Sequence, residues 1–188
     1  MKKLITLVLL VLYSFSIFAQ EEHLTFKNIP IDGPLTQFLG KLKAGGFTQF
    51  DRDTDGVWLL GKFAGKDCKI LVQSSATSQT VYAVYALFVN RNDWGMAKMD
   101  YNTLKEALSR KYGQPQSKEE FESPYKEDGY EFMHMKDGHV IWLSEYSTPN
   151  GLIRLYIKEQ GVSEGCAITS YRDRLNYEKS IAELSDEL

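Results

Sequence analysis

DYNTLKEALSRKYGQP, residues 100–115, is the clearest helical signature in the chain. Leu104, Ala107 and Leu108 recur at i, i+3 and i+4, with Tyr101 before them and Tyr112 after, so one helical face is apolar. Asp100 is the expected N-cap, its carboxylate accepting a free first-turn amide. Arg110 and Lys111 offset the negative end of the helix dipole. Gly113 and Pro115 end the helix.

The same spacing occurs earlier, in DGPLTQFLGKLKAGGF, residues 32–47. There Leu35, Phe38 and Leu39 form the apolar stripe. Pro34 suits the first helical position, and Gly45 and Gly46 stop it. A leader strand is expected over 21–31. Strand-like runs follow the first helix at 47–51, 57–63, 68–73 and 81–89, with Gly61 marking a close approach. The second helix is followed by runs at 130–135, 140–146 and 152–158, near the positions reached by carrying the first set along with the offset between the helices. Asp137–Gly138 reads as a type I′ hairpin turn between two of them. Residues 81–89 are apolar on both faces, which predicts a central strand.

These patterns predict an α+β fold. Two tandem helix-plus-antiparallel-meander repeats, about 32–89 and 100–158, form one sheet with helices packed on one face. A strand-helix extension over 162–188 completes it, with a strand at 166–171 and a helix at 172–188. That helix carries Tyr177, Ile181, Leu184 and Leu188 along one side.

The first residues predict the compartment. Lys2 and Lys3 precede an apolar run, Leu4 to Phe18, followed by Ala19 and the polar Gln20–Glu21–Glu22. The run is shorter than the ~20 residues a membrane helix needs, and the pattern is that of a secretory signal peptide over 1–19, cut after Ala19. Residues 20–188 are then one domain, periplasmic or secreted, with no integral membrane segment once the leader is removed.

The chain has 22 basic and 25 acidic residues, and losing Lys2 and Lys3 makes it more acidic still. That argues against nucleic acid as a partner. Two cysteines remain, Cys68 and Cys166. In an oxidising compartment they are either a disulfide or two small buried hydrophobes. A bridge would close a loop of about 100 residues and contribute ~4–5 kcal/mol on the chain-entropy model.

Candidate chemistry is sparse. Asp51, Asp53 and Asp55 open like a calcium loop, but Lys62 stands where a bidentate Glu is needed and a strand follows at once. The plain alternative is an acidic hairpin turn. His134 and His139 share a hairpin and offer a weak transition-metal pair; His23, near the start of the mature chain, is expected to be mobile. There is no G-x-S-x-G, no phosphate loop and no G-x-G-x-x-G, so neither an enzyme nor a cofactor is indicated. The aromatic content is more telling, with 3 Trp, 11 Tyr and 10 Phe. Tyr82, Tyr85, Tyr130 and Tyr156 fall on predicted strands of a sheet that can leave one face open, and tyrosine gives stiff contact area with a polar tip. These four are the expected binding residues for a protein partner.

The helix signatures IDGPLTQFLGKLKAGGF, residues 31–47, and LKEALSRKYGQP, residues 104–115, resemble those of a group of exported Bacteroidetes proteins. The order of elements is similar to the β-lactamase-inhibitor-protein-like fold, in which tandem helix-plus-sheet repeats present a concave sheet to a partner. The resemblance implies a non-catalytic protein-binding or inhibitor-like module of the cell envelope. A small-ligand or metal-cation-binding periplasmic protein is the alternative.

Overall fold

Asp93, not Asp100, starts the central helix. In a computed structural model, which describes residues 23–186, helix α2 runs Trp94–Tyr112 and the Asp93 carboxylate accepts the Met96 amide at 2.7 Å. The helix therefore begins about two turns before the expected cap. Trp94, Ala97, Tyr101, Leu104 and Leu108 share its buried face, and so does Asp100. Asp100 is 2% exposed and sits between Lys66 Nζ at 2.8 Å and Arg91 Nε at 2.7 Å. A carboxylate on an apolar helical face keeps its charge only with such partners.

The other elements follow in order. β1 (Thr25–Phe26) and β2 (Ile29–Pro30) form a two-rung hairpin. This replaces the single leader strand expected over 21–31, because Lys27 and Asn28 turn the chain at φ 50° and 62°. Then come α1 (Leu35–Ala44), β3 (Thr48–Arg52), β4 (Val57–Phe63), β5 (Lys66–Ser74) and β6 (Val81–Phe88). After α2 come β7 (Gln116–Phe121), α3 (Glu131–Lys136), β8 (Val140–Thr148), β9 (Gly151–Glu159), β10 (Gly165–Asp173) and α4 (Arg174–Ser185).

The fold is α+β. Eight strands form one antiparallel sheet in the order β3-β4-β5-β6-β10-β9-β8-β7. Each of α1 and α2 precedes a run of four antiparallel strands, and the last strands of the two runs, β6 and β10, pair at the centre. The segment 162–188 is thus no appendage: β10 is a central strand. Residues 130–135 are not a strand either. Glu131 reaches back to accept the Asp128 and Gly129 amides, which fixes a first helical turn, and Gly138 at φ 86° closes α3. The alternation Phe132-Met133-His134-Met135 also fits a short helix that buries Phe132. Asp137–Gly138 is accordingly a helix stop rather than a hairpin turn. With α3 inserted over part of 122–139, the offset relating β3 to β7 no longer relates β4 to β8.

One face of the sheet carries the core. A single cross-strand row runs Leu59, Ile70, Ala86, Thr169, Leu155, Ser144, Ser117. The α1 residues Leu35, Phe38 and Leu42 and the α2 face belong to the same core. Gly61 is bare because a Cβ there would lie 2.3 Å from the Phe47 ring. Trp94, Phe121, Phe132 and Trp142 cluster edge to face, with Trp94 and Trp142 centroids 5.2 Å apart, and this holds α3 to the sheet. At the far end Asp173 is the main polar anchor. Its carboxylate caps α4 through the Asn176 amide at 3.0 Å and accepts the Leu24 amide at 2.7 Å. His23 Nδ1 lies 3.2 Å from it, so His23 is held rather than free. Asn176 donates to Ile31 O at 2.9 Å, tying α4 to the β1–β2 hairpin. The expected stripe on α4 does not pack: Ile181 and Leu184 are exposed, and Leu188 lies outside the described residues. Tyr177 instead turns onto the other sheet face, against Tyr82 and Arg172.

Burial raises the Asp100 carboxyl, but hydrogen bonds and charge from Arg91 and Lys66 outweigh it and hold the pKa below its ordinary value of 3.8. A depressed carboxylate contributes stability that is present above its unfolded pKa and lost as pH falls through the folded one. Asp100→Ala should cost about 2–3 kcal/mol by urea denaturation at neutral pH, since it strands two part-buried cations. The variant should also lose less stability than the parent on acidification below about pH 4.

Candidate functional site

The register that buries one sheet face leaves the alternate residues on the other. Two adjacent rows cross all eight strands there. The first is Asp51, Trp58, Leu71, Tyr85, Ser170, Arg154, Glu145, Gln116. The second is Thr48, Leu60, Lys69, Leu87, Ile168, Tyr156, Leu143, Lys118. Trp58, Tyr85, Leu87, Leu143 and Tyr156 are half-buried by their neighbours, and Leu60 is 46% exposed. A shallow depression of about 490 Å³ lies over Tyr85, Tyr156, Leu143 and Arg154. A larger groove of about 1180 Å³ covers the β3–β6 half, lined by Trp58, Leu60, Lys69 and Leu87 among others. Burial raises the phenols of both tyrosines, Tyr156 to about 12.

The charges on this face are unevenly matched. Arg154 Nε pairs with Glu145 Oε1 at 2.5 Å, Lys62 with Asp67 at 3.8 Å and Lys118 with Glu120 at 3.1 Å. Lys69 and Lys158 have no carboxylate partner among the described residues, and Arg172 lies over the Tyr177 ring at 4.3 Å. Asp51, at the β3 edge of the first row, has no cation partner either, so the uncompensated charge is positive over β5, β9 and β10 and negative at that edge, although the chain as a whole is acidic.

Of the four tyrosines read as binding residues, the sheet brings Tyr85 and Tyr156 onto the open face. Tyr82 sits at a register shift between β5 and β6, with its ring 5.9 Å from Tyr177 at the end of that face. Tyr130 lies elsewhere: it is 61% exposed at the start of α3, beside His134. Sequence reading passed over Lys69, Lys158 and Arg154. Each alternates with core residues on its strand, but which partner it meets depends on a register that no single strand encodes.

The metal readings meet a different geometry. Asp53 Oδ1 accepts the Asp55 and Gly56 amides and its Oδ2 accepts Trp58 Nε1 at 2.7 Å, while Asp51 accepts the Arg52 amide. The triplet is a self-bonded turn. His134 is on a helix, not a strand, with Nε2 3.1 Å from Asp128, and His139 Nδ1 is 2.7 Å from Glu122. The two imidazoles flank the Tyr125 ring, His139 stacked on it at 4.0 Å and His134 at 4.9 Å. Among the described residues no group of three or more His, Cys, Asp or Glu is placed to hold a metal ion.

Cys68 and Cys166 are free thiols, which removes the disulfide alternative. Strand parity explains it. Cys68 pairs with Phe88, whereas Ile168, two residues from Cys166, pairs with Leu87. Phe88 and Leu87 point to opposite faces, so the two thiols do too. They also stand on strands separated by β6. Among the described residues no helix is long and apolar enough to cross a membrane, and the predicted leader over 1–19 lies outside them. No family model, curated protein or solved structure matches this chain.

Burial pushes the Cys68 thiol to about 11 and Cys166 to about 12. Near pH 8 the reactive thiolate is then scarce in the folded state. Iodoacetamide should leave the native protein unmodified and alkylate both residues in urea, and intact mass should not change with reductant. Rapid labelling of the folded chain would contradict this placement.

Proposed function

We propose that the chain is an exported, non-catalytic protein-binding module, inhibitor-like in its mode of action, working in the cell envelope or outside the cell. The observation that carries this reading is the open sheet face. It sets Trp58, Leu60, Tyr85, Leu87, Leu143 and Tyr156 side by side, with uncompensated lysines among them. Aromatic side chains at the centre of a patch, ringed by polar groups, are the composition that anchors protein interfaces. The extent across eight strands suits a macromolecular surface better than a small ligand. Lys69 and Lys158 select the partner's chemistry: an apolar contact patch edged by carboxylates, which such cations steer and orient. The export half of the reading rests on Lys2, Lys3 and the apolar run before Ala19. The resemblance of both helix signatures to exported proteins of inhibitor-like architecture supports the same class.

Affinity capture from an envelope extract, using the chain without residues 1–19, tests the reading. Tyr85→Ala with Tyr156→Ala should weaken retention of a captured partner at least about tenfold, the scale of two interface anchors. Lys69→Glu with Lys158→Glu should slow association and flatten its salt dependence. Circular dichroism melts should show both variants folded. Equal retention by both folded variants and the parent would refute the open face as the contact surface.

A further inference from the structure

The depression of about 490 Å³ over the middle of the open face is lined by hydroxyls and guanidinium groups as well as by apolar side chains. Tyr85, Ser170 and Arg154 are consecutive members of the first open row, on β6, β10 and β9. Arg172 follows Ser170 by two residues on β10, and Tyr156 follows Arg154 by two on β9, so both face the same way. Strand spacing of about 4.8 Å and a repeat of about 6.7 Å along each strand put the other four backbones within about 8 Å of Ser170. Leu143, opposite Tyr156, and Leu152, opposite Arg172, supply apolar walls.

These donors are unspent. Among the described residues the Tyr85 and Tyr156 hydroxyls and Ser170 Oγ make no side-chain hydrogen bond. The orphaned polar atoms that are sealed from solvent belong to Thr169, Trp94 and Trp142, so these three oxygens stay open to a ligand. Ser170 is only 8% exposed, and its hydroxyl reaches solvent from the floor of the depression. Burial raises both phenols, Tyr156 to about 12, so each keeps its proton at neutral pH and can donate it in a hydrogen bond. Arg154 Nε is paired with Glu145, but Arg172 has no carboxylate partner among the described residues and lies over the Tyr177 ring at 4.3 Å. A guanidinium stacked by its face leaves its N–H edge free to grip a carboxylate. No acidic residue lines the depression, and Glu145 at its edge offsets only one of the two guanidiniums. That balance favours a ligand with a single negative charge.

We propose that this depression binds one carboxylate carried on an apolar stem, contributed by the partner protein as a chain end or an acidic side chain. The inference rests on the open face being the contact surface, and it names what sits at the centre of that face. A carboxylate has about four acceptor sites, which match the N–H edge of Arg172 and the hydroxyls of Tyr85, Tyr156 and Ser170. Charge-assisted bonds from several donors offset the cost of taking the charge out of water. The stem packs against Leu143 and Leu152.

Ligand-observed NMR titration with three peptides tests the assignment. One is acetyl-Leu-Gln-Leu with a free chain end, one is acetyl-Leu-Glu-Leu-amide with a side-chain carboxylate only, and one is acetyl-Leu-Gln-Leu-amide with neither. At least one acid should bind about tenfold or more tightly than the neutral peptide, and the tighter acid identifies the source of the carboxylate. Arg172→Gln should weaken that acid about tenfold and Tyr156→Phe about three- to tenfold, with the neutral peptide unchanged. Melts should show both variants folded, since Arg172 leaves no carboxylate stranded and Tyr156 keeps its ring. Inorganic phosphate, which has no apolar stem, should bind more weakly than the better acid. Absence of saturable acid binding below about 5 mM overturns the proposal. So does tighter binding of phosphate, equal affinity for all three peptides, or indifference to both variants. The open-face reading fails on a different result: Tyr85→Ala with Tyr156→Ala removes contact area, whereas Tyr156→Phe removes only a hydroxyl. A captured partner that is lost by the alanine pair but retained in full by Arg172→Gln and by Tyr156→Phe keeps the contact face and overturns the carboxylate assignment.

Discussion

The antiparallel pairing of β6 with β10 is the constraint on which the rest depends. It joins two runs of four strands that otherwise meet at no other sheet edge. Val84 opposite Tyr171 and Ala86 opposite Thr169 set the register on the core side. Every row across the sheet inherits that register. The contact is far apart in sequence, so its chain-closure entropy must be offset by burial, and β10 is buried at every residue except Arg172. The strand also fixes both ends of the described chain. Its last residue, Asp173, accepts the Leu24 amide and caps α4, so the same carboxylate holds the first hairpin and the final helix. Removing β10 would leave α2 without part of its floor and the termini without an anchor.

This dependence explains what the sequence made legible. Helices α1 and α2 were visible because three or four apolar residues at helical spacing are a local signal. Strands β4 to β6 and β8 to β10 were visible as alternating or apolar runs. The start of α2 was misplaced because Asp100 looks like a cap when read alone. It lies on the buried face, and only Lys66 and Arg91, from other elements, make that tolerable. Residues 130–135 were misread because a short alternating run satisfies two periods at once. The carboxylate of Glu131, bonded to Asp128 and Gly129, tips the choice toward helix. The site was half legible: Tyr85 and Tyr156 were identifiable as strand aromatics, but their meeting on one face needs the β6–β10 and β9–β10 registers. Parity likewise separates Cys68 from Cys166, and no count of cysteines contains it.

Polar groups in the interior show how closely the fold matches its own demands. Tyr101 is fully buried, yet its hydroxyl donates to Glu119 Oε1 at 2.8 Å and lies 2.6 Å from Ser144 Oγ, which in turn reaches Ser117 at 2.7 Å. The hydroxyl of Tyr146 donates to Lys105 O at 3.0 Å. Asp100 and Asp173 each have several partners. Networks satisfied to this degree hold an element in one place, since moving it would expose unpaired groups on both sides. Thr169 departs from the pattern, as do the indole N–H groups of Trp94 and Trp142. Thr169 sits a few residues from Asp173 on the best-buried strand and has no partner for its hydroxyl.

The Thr169 hydroxyl costs the core stability rather than adding to it. β-Branched shape is what a central strand wants, and valine supplies it without a hydroxyl. Threonine at this position adds only a group that must be desolvated. That is disfavoured in a row whose flanking members are Ala86 and Leu155. On the reverse side of the same strand, Ile168 and Ser170 face the open rows beside Tyr156 and Arg154. One strand therefore presents the packed core to one side and the open face to the other. The alternation of β10 lets both exist without either using the other's side chains.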